Sequence, residues 1–418
     1  MKQIFLIFAL AAAFTSAMAQ KLTMVTNPDE ENPLMALCIS DNGQYIGGSD
    51  AGYGYFVADW QKNNVMELPT KDGTAGSEIR AVSNDGTGVG FDLLPIKLDM
   101  FGTRTELADV NGIGEDITPD GKLIVGSIAP KGALQYPCIW KDGVKIDLPH
   151  PTTEELGFEY GGSTARLVSA DGKTIVGYVV DSLATFPMIA WRLSEDGKTY
   201  NYDFIAKDFF APNENSKNNF QKIHPVGLSG NGRYIALWVK TKDMEKDGAA
   251  RYDLATGKLE VMAYDPNDAV ITKETRVMPT DIADDGTLVG YTYEESAKKA
   301  LIWYPDSKYM ALMADAFPEV SEFAQFDEYG LNGPARITPD GRYIVGLAYA
   351  MVAENMLNYA SYVLDVKGTP SGITGVHTEA GKAKPQRFTI DGRRVSRPVK
   401  GLNILRTADG KVVKVMVK

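Results

Sequence analysis

The stretch Ile117-Thr118-Pro119-Asp120-Gly121-Lys122-Leu123-Ile124-Val125-Gly126 contains a tight turn followed by a strand-like run. Thr, Pro, Asp and Gly in this order are typical of a type I turn, after which the glycine takes the left-handed conformation and closes a three-residue hairpin loop. The β-branched run after the turn favours an extended strand that ends at Gly126. The stretch therefore predicts two antiparallel strands joined by a short hairpin.

Six other stretches of the chain share this pattern of an apolar residue, three turn residues and a glycine. The turn glycines are Gly43, Gly86, Gly121, Gly172, Gly232, Gly286 and Gly341. They are 35 to 60 residues apart, and six copies have a Trp or Tyr 17 to 21 residues after the glycine. A four-stranded unit repeated at such intervals is typical of a propeller blade, which cannot bury both of its faces alone. The sequence therefore predicts an all-β protein, a seven-bladed β-propeller of four-stranded antiparallel blades.

The last blade begins near Pro334 and has only three strand-like segments before Val366. A short strand-like segment, 22–26, precedes the first turn unit. We expect this N-terminal strand to complete the last blade, because it would close the ring and cover an exposed sheet edge.

The two ends of the chain have a different composition from the repeats. Residues 1–19 read as a secretory signal peptide, with Lys2 at its charged start, an apolar segment, and Ala17-Met18-Ala19 as a small-residue cleavage site. No later apolar run of about 20 residues is present, so no membrane span is expected. The predicted organisation is a signal peptide at 1–19, a β-propeller at 20–368, a linker at 369–385 and a small β tail at 386–418. An exported protein is expected, located in the periplasm, at the outer-membrane surface or outside the cell.

The charge of the chain is unevenly distributed. The formal net charge is −11, but residues 381–418 carry +9 and residues 20–380 carry −21. Nucleic-acid binding needs a positive footprint. An acidic body therefore argues against nucleic acid as a partner.

The two cysteines, Cys38 and Cys138, lie in predicted strands of different blades. Free cysteines in such positions behave as small buried apolar side chains, which is the reading we favour. A disulfide or a metal site is the alternative.

The blades differ most in the length of two kinds of connection. The long connections between blades are 150–163, 204–224, 264–278 and 314–333, and those between second and third strands are 129–137, 240–248 and 350–358. In an up-and-down blade both kinds lie at one end of the ring, which we call the long-loop face. The short Asp-Gly hairpins lie at the other end, the turn face. Because variable loops on a rigid scaffold usually carry binding sites, the long-loop face is the expected site of function.

The blade pattern resembles two families of propeller repeats, the HAF repeat of extracellular bacterial proteins and the TolB-like repeat. Blade three carries the motifs of the HAF plan, namely Asp120-Gly121, Ile124-Val125-Gly126, Ile139-Trp140, Gly143 and Leu148. The TolB-like repeat shares the Pro-Asp-Gly-Lys turn, which is Pro119-Asp120-Gly121-Lys122 here. This resemblance implies a propeller fold and does not imply a particular activity.

The tail resembles a truncated form of the C-terminal sorting domain of type IX secretion substrates. The matching segments are 391–395, 401–404 and 411–418, although Leu402-Asn403 stands where that family usually has an aromatic residue. The resemblance implies the secretion machinery as a partner and delivery to the outer-membrane surface or beyond.

No catalytic motif, cofactor or metal site is predicted. The three histidines, His150, His224 and His377, do not have the His-Glu-x-x-His spacing of a zinc site, and no Gly-x-Ser-x-Gly elbow is present. The repeated turn aspartates could be calcium ligands or sialidase-type boxes, but each lies directly before its glycine. We therefore expect them to cap their own turns.

Charged residues recur on the innermost strands just before the turns. They are Arg80, Glu115, Asp116, Arg166, Asp281 and Arg336. Three interpretations are open. These residues could bind a polar ligand at the mouth of the channel, two carboxylates could act as acid and base in sugar cleavage, or the charges could pair with one another.

The long connections also carry many aromatic residues. They are Phe158, Tyr160, Phe204, Phe209, Phe210, Phe220, Phe317, Phe323, Phe326 and Tyr329, among which Phe209, Phe210 and Phe326 are the leading ligand-binding candidates. Such rings either form a platform for a sugar or a protein partner, or pack beneath their own loops.

The sequence thus predicts a non-catalytic binding module for a glycan or a protein. One alternative is a carbohydrate-active hydrolase or lyase that uses carboxylates at the channel mouth. Another is a structural or assembly protein.

Overall fold

The structure, a computed structural model, describes most of the chain between residues 20 and 417. The described ranges are 20–25, 34–50, 54–71, 73, 76–131, 133–157, 159–180, 187–206, 220–241, 246–293, 299–318, 320, 331–353, 356–367, 386–389, 394–395, 400–406 and 412–417. The predicted signal peptide and the candidates Phe209, Phe210 and Phe326 lie outside these residues. The chain forms two compact units, Met1–Thr369 and Pro370–Lys418.

Seven four-stranded antiparallel sheets make up the first unit, and together they form a β-propeller, as predicted. The chain starts with β1 (Lys21–Val25), and blade 1 then contains β2 (Leu34–Ile39), β3 (Tyr45–Asp50), β4 (Gly54–Asp59) and β5 (Asn64–Pro69). Blade 2 contains β6 (Glu78–Val82), β7 (Gly88–Asp92), β8 (Leu94–Leu98) and β9 (Arg104–Glu106). Blade 3 contains β10 (Gly112–Ile117), β11 (Leu123–Ile128), β12 (Tyr136–Lys141) and β13 (Val144–Asp147).

The second half of the ring repeats this arrangement. Blade 4 contains β14 (Ser163–Val168), β15 (Thr174–Val179), β16 (Met188–Leu193) and β17 (Tyr200–Phe204). Blade 5 contains β18 (Phe220–Leu228), β19 (Tyr234–Thr241), β20 (Gly248–Asp253) and β21 (Lys258–Val261). Blade 6 contains β22 (Val277–Ile282), β23 (Leu288–Thr292), β24 (Ala300–Trp303) and β25 (Ala311–Leu312). Blade 7 contains β26 (Leu331–Ile337), β27 (Tyr343–Ala353) and β28 (Met356–Asp365), with β1 as its fourth strand.

The N-terminal strand closes the ring, as the sequence predicts. β1 pairs antiparallel with β28, from Lys21 opposite Asp365 to Val25 opposite Ser361. The strand begins one residue earlier than the expected segment 22–26. By pairing with the third strand of the last blade, β1 covers the edge that would otherwise be exposed.

The hairpin turns have the predicted geometry. All seven turn glycines have a positive φ, for example 72° at Gly121, and the Gly121 N–H donates to the Thr118 carbonyl at 2.9 Å. The Asp120 carboxylate accepts from the Thr118 hydroxyl at 2.7 Å and from the Lys122 N–H at 3.2 Å. The turn aspartate therefore caps its own turn, as expected, and the motif is structural.

A β-bulge interrupts the innermost strand of every blade just before the turn. The bulged residues are Leu37, Arg80, Glu115, Arg166, Val226, Thr280 and Ala335. Opposite the bulge the two strands come very close, and a Cβ atom at Gly177 would overlap the carbonyl oxygen of Thr164. This explains why the second strand of most blades has a glycine at this position.

The core consists of the faces that neighbouring blades press together. The third-strand residues Trp140, Trp191 and Trp303 are fully buried. The indole N–H of Trp140 donates to the Leu107 carbonyl at 2.8 Å, and that of Trp191 to the Pro149 carbonyl at 2.6 Å. Trp140 and Trp191 thus fill the core and also fix the connection from the preceding blade, whereas the Trp303 indole donates to the Ser307 carbonyl of its own blade.

Both cysteines are free and buried, as favoured from the sequence. Burial raises the pKa of each thiol, Cys38 and Cys138, to about 12. The Cys38 thiol lies 3.4 Å from the Gly47 carbonyl, to which it donates a weak hydrogen bond. The two residues therefore act as small core side chains.

Two single-turn helices lie in connections, α1 (Thr153–Leu156) and α2 (Met313–Ala316). The Thr152 hydroxyl accepts from the Glu155 N–H, and the Glu155 carboxylate accepts from the Thr152 N–H, so α1 starts with a capping box. Within the described part of the chain, no helix has the length and apolar character needed to cross a membrane.

The second unit has a small sheet of its own. It contains β29 (Gln386–Thr389), β30 (Arg394–Val395), β31 (Gly401–Arg406) and β32 (Val412–Val417), in the order β30-β29-β31-β32. These strands lie in the segment 386–418, where the sequence predicts a small β tail.

A buried side chain joins the last blade to the first. The Ser361 hydroxyl donates to the Leu34 carbonyl and accepts from the Ala36 N–H, both at 2.7 Å. These two backbone groups lie on β2, the innermost strand of blade 1. Ser361 therefore adds hydrogen bonds between blades to the closure that β1 provides.

We expect Ser361→Ala to lower the free energy of unfolding by about 2 kcal/mol, because two buried backbone groups lose their partner. Urea unfolding measures this change. Ser194→Ala is the matched control, since Ser194 bonds to Asp196 in an exposed turn where water can replace the hydroxyl. Equal losses in the two variants would contradict a role for Ser361 in closing the ring.

Candidate functional site

The first candidate site is a narrow well where the innermost strands converge near the turn face. Its volume is about 70 Å³, and its lining includes Asp41, Asp116, Asp281 and Arg336. A space of this size holds no more than a few water molecules. We call it the turn-side well. It brings together three of the six charged residues singled out from the sequence.

Two carboxylates of the turn-side well accept hydrogen bonds from backbone N–H groups. Asp116 accepts from its neighbour Ile117 and from Val168 of blade 4, both at 2.9 Å. Asp281 accepts from Ile337 of blade 7 at 3.0 Å. Each carboxylate thus ties its own blade to the innermost strand of the next blade.

The single arginine that lines the turn-side well has a similar position. Its Nη1 donates to the Thr280 carbonyl of blade 6 at 3.1 Å and lies 3.5 Å from the Ala335 carbonyl. Arg336 therefore contacts the backbone of the preceding blade and places its positive charge among the buried carboxylates.

Burial raises the pKa of these carboxylates. It raises the pKa of Asp116 to about 7, against the opposing effects of the Val168 N–H and the charge of Arg336. It also raises the pKa of Asp281 to about 6. The pKa of Asp41 is raised to about 6 by burial and then by the charges of neighbouring aspartates. Desolvation of the charged form is the main cause in all three cases.

Acid–base cleavage of a sugar requires two carboxyl groups that reach the substrate from an open pocket. Asp116 and Asp281 instead face backbone N–H groups in a narrow well. Their contacts favour a structural role for both.

A second group of charges lies further along the innermost strands, toward the long-loop face. Arg80 Nη1 donates to Glu115 at 2.6 Å, and Arg80 Nε donates to Glu78 at 2.8 Å. Glu115 is almost fully buried, whereas the side chain of Arg80 is 30% exposed. Burial alone would lower the pKa of Arg80, but the charges of Glu115 and Glu78 outweigh it and the pKa is raised. Arg80 thus pairs with two carboxylates, which is the arrangement of the third interpretation, in which the charges pair with one another.

Arg166 makes a different set of contacts. Its Nη1 donates to Nε2 of His224 at 2.5 Å, which places the proton of a neutral His224 on Nδ1. The ring of Tyr178 lies 4.6 Å from the His224 ring, and its hydroxyl is hydrogen-bonded to Arg166. Burial, followed by the charges of Arg336 and Arg80, lowers the pKa of Arg166, despite the opposing charge of Glu115.

The structure thus divides the six charged candidates between two levels of the channel. Sequence reasoning missed three residues that complete the outer level, namely Glu78, Tyr178 and His224. Tyr178 directly follows Gly177, the second-strand glycine that lies opposite the bulge. His224 lies on the innermost strand of the next blade. An aromatic residue directly after this glycine is a sequence signal from which Tyr178 could have been found.

An open depression lies at the outer rim of blade 3, at the long-loop face. Its volume is about 670 Å³, and its lining includes Ile128, Tyr136, Leu148 and His150. Ligand pockets commonly have volumes of this order. We call it the blade-3 groove. The sequence did not predict it.

Three aromatic rings stack at one side of this groove. The His150 ring lies parallel to that of Tyr160, with centroids 4.7 Å apart and 16° between the planes. The Tyr136 ring lies 5.4 Å from His150 and is tilted by 50°. Tyr160 is buried and hydrogen-bonded to Ser163 at 2.7 Å. It therefore forms the base of the stack, and Tyr136 and His150 line the groove.

Polar groups lie around the same groove. Lys145 and Asp147 form an ion pair on β13, with Asp147 the more exposed at 70%. His150 Nδ1 lies 3.2 Å from the Pro151 carbonyl, so Nδ1 donates and Nε2 of the neutral ring is an acceptor. The Tyr136 hydroxyl makes no hydrogen bond with any described residue.

The described aromatic residues of the long connections pack inward. Tyr160 belongs to the core between blades 3 and 4, and Phe317 to the core between blades 6 and 7. For these two, packing beneath their own loops is the correct interpretation. Among the described residues, no three His, Cys, Asp or Glu side chains are placed to hold a metal ion.

No protein-family model matches this chain, and no curated protein matches it by sequence. Solved structures show a distant likeness. TolB from Acinetobacter baumannii is 16% identical with a TM-score of 0.43, and the match covers 65% of this chain and 64% of TolB. An oligogalacturonate lyase from Vibrio parahaemolyticus is 13% identical with a TM-score of 0.49, covering 84% of this chain and 97% of the lyase.

Puromycin hydrolase is also 13% identical with a TM-score of 0.49, and the match covers 93% of this chain and 60% of the hydrolase. This chain therefore spans less than two thirds of TolB and of puromycin hydrolase. The propeller fold itself follows from the sheet topology.

We expect buried Asp116 to make stability depend on pH. Its pKa is about 7 in the folded protein and 3.8 for an unperturbed aspartate, so folding favours the protonated form. This contribution is complete below about pH 4 and is lost as the pH rises through 7. Between pH 5 and 8, wild-type stability should fall by about 2 to 3 kcal/mol relative to Asp116→Asn.

Urea unfolding of both proteins at several pH values measures this difference. Asp306→Asn, at an exposed carboxylate, is the control and should show no such change relative to wild type. A difference between wild type and Asp116→Asn that is constant from pH 5 to 8, or that has the opposite sign, would refute the assignment.

Proposed function

We propose that this protein is an exported, non-catalytic β-propeller that binds a glycan or a protein ligand on its long-loop face. The observation that carries the proposal is the state of the channel carboxylates. Asp116 and Asp281 bind backbone N–H groups, and Glu115 is paired with Arg80. Side chains held in this way stabilise the ring and are poorly placed to exchange protons with a substrate.

The turn face is an unfavourable place for a ligand, because its hairpins are bonded to one another. The Asn42 N–H donates to the Asn84 side chain at 2.9 Å, and the Asn231 N–H donates to the Asp284 side chain at 2.8 Å. The Asp284 N–H in turn donates to the Pro339 carbonyl at 2.9 Å. Such bonds from one turn to the next hold this face in one shape.

The long-loop face has the features that a binding site needs. It carries the blade-3 groove. The partly exposed Arg80 lies between the turn-side well and this face. The long connections of blades 4 to 7 leave their strands at this end. A rigid ring that carries variable connections at one end is a common arrangement for recognition.

We expect wild-type protein to bind members of a glycan array or a surface-protein array. Phe209→Ala, Phe210→Ala and Phe326→Ala, at the aromatic residues of the long connections, should weaken that binding by about tenfold or more, because large aromatic anchors dominate interface energies. Fluorescence on the arrays, followed by titration of each hit, measures this.

Phe101→Ala is the matched control for the aromatic variants. Phe101 is 91% exposed and lies in the turn between β8 and β9, which is at the turn face. Its removal should leave affinity unchanged. The proposal fails if no array member binds, or if Phe101→Ala weakens binding as much as the long-loop variants do. Release of a product from a bound glycan, abolished by Asp281→Asn, would support the hydrolase or lyase alternative instead.

We also propose that the chain is exported by way of its first 19 residues, and that the basic tail serves in sorting at the outer membrane. The pattern of Lys2, the apolar segment and Ala17-Met18-Ala19 supports the first part. The resemblance of segments 391–395 and 401–404 to a sorting domain supports the second.

Expression in a bacterial host with a type IX system tests both parts of this second proposal. Mass spectrometry should find Gln20 as the first residue of the exported protein, and Ala19→Arg should leave the precursor uncleaved, because a large charged side chain does not fit a small-residue site. Removal of residues 386–418 should retain the protein in the periplasm. An uncleaved wild-type chain in the cytoplasm would contradict export, and surface delivery without the tail would contradict sorting.

A further inference from the structure

We propose that the blade-3 groove is a binding site for a neutral saccharide, whose pyranose ring lies against Tyr136 and His150. Its hydroxyl groups bond to Asp147, to the Tyr136 hydroxyl and to Nε2 of His150. This inference rests on the proposed binding function and names the class of ligand and the place where it binds. It concerns residues of the long-loop face other than the phenylalanines predicted from the sequence.

The size and support of the groove fit this ligand. A volume of about 670 Å³ exceeds what a single ion or water cluster needs and lies in the range of small-molecule sites. The groove is supported by regular structure, because Tyr136 belongs to β12, and Lys145 and Asp147 belong to β13. Its walls are therefore formed before a ligand arrives, which reduces the entropy cost of binding.

The arrangement of the rings favours a saccharide over a flat aromatic ligand. A flat ligand binds best in a slot between parallel rings. Here the accessible rings of Tyr136 and His150 are inclined by 50° and form a concave wall. A puckered pyranose has apolar C–H faces that can pack on such a wall and hydroxyl groups at its edge that point away from it.

The available polar groups match the hydroxyl groups of a sugar. The Tyr136 hydroxyl can donate or accept, Nε2 of a neutral His150 accepts, and the exposed oxygen atoms of Asp147 accept. A hydroxyl group can act as donor and acceptor at once, so one pyranose can satisfy all three. Ile128 and Leu148 also line the groove but are almost fully buried, so the C–H faces of the sugar would pack mainly on the two rings.

The charges of the groove argue against an ionic ligand. Lys145 and Asp147 neutralise each other within one ion pair. The surrounding body, residues 20–380, carries a net charge of −21 and would repel an anion. A cation would have to displace Lys145 from its partner. A neutral ligand is therefore the best match.

Saturation-transfer NMR with the full-length protein tests the proposal, with cellobiose, maltose, lactose and chitobiose as neutral probes and glucuronate as the anionic comparison. We expect at least one neutral disaccharide to bind with an affinity of the order of 1 mM, and glucuronate to bind more weakly or not at all. Tyr136→Phe and Asp147→Asn should each weaken that binding by about five- to tenfold, because the first removes a hydroxyl partner and the second replaces a charged acceptor by a weaker neutral amide.

Two matched variants control for general effects of these substitutions. Asp203→Asn removes an exposed carboxylate on the outermost strand of blade 4, where it pairs with Arg192 of the third strand. Asp147 is likewise an exposed, ion-paired carboxylate on the outermost strand of its blade. Tyr304→Phe removes the hydroxyl of a partly exposed tyrosine at the turn face of blade 6. Neither should change the affinity. Thermal unfolding should show that all four variants remain folded.

The outcomes separate this inference from the proposed function. The saccharide site is refuted if no neutral disaccharide binds, or if Tyr136→Phe and Asp147→Asn bind the disaccharide as tightly as wild type does. In either case the proposed function still stands when array ligands bind and the long-loop phenylalanine variants weaken them. If the arrays also show no binding, both proposals fail.

Discussion

The β-bulge in each innermost strand is the constraint on which the inner half of every blade depends. It adds one residue to one side of the ladder and bends the strand toward its neighbour. The backbone carbonyl before the bulge then occupies the space of a side chain on the second strand, which is why Gly177 faces Thr164 without a Cβ. The same bend brings the end of the strand close to the next blade, where Asp116 reaches the N–H of Val168. The bulge thus accounts both for the close packing of the first two strands and for the contact of the buried carboxylate with the next blade.

The bulge also explains why charged residues lie so deep in the protein. The bulge orients two consecutive residues in a way that a regular strand does not, so Glu115 pairs with Arg80 while Asp116 bonds to the backbone of the next blade. Burying a carboxylate costs free energy unless it receives hydrogen bonds, and the raised pKa of Asp116 is the residual sign of that cost. These groups therefore connect the blades.

Features determined by short segments could be predicted from the sequence. The Asp-Gly turns, the seven-fold repeat, the closing strand at Lys21–Val25 and the two buried cysteines all depend on local patterns of residues, and the structure has them as expected. Contacts across blades could not be predicted. Arg166 meets His224, which is 58 residues away, because the innermost strands of blades 4 and 5 lie next to each other in the ring. The spacing of apolar residues along the chain does not predict which residues of neighbouring blades lie side by side.

The blade-3 groove illustrates the same limit at the surface. Tyr136 belongs to a third strand, Asp147 to a fourth strand, and His150 to the connection that follows. Read along the chain, these are ordinary strand and loop residues, and His150 is notable only for lacking a metal-ligand spacing. The antiparallel pairing of β12 with β13 brings Tyr136 and Asp147 to one rim, and the Trp191 indole, which binds the Pro149 carbonyl, holds the connection in place. A core aromatic of one blade therefore determines the shape of the surface of the blade before it. The surface of this scaffold can consequently differ between blades while the repeat that supports it stays the same.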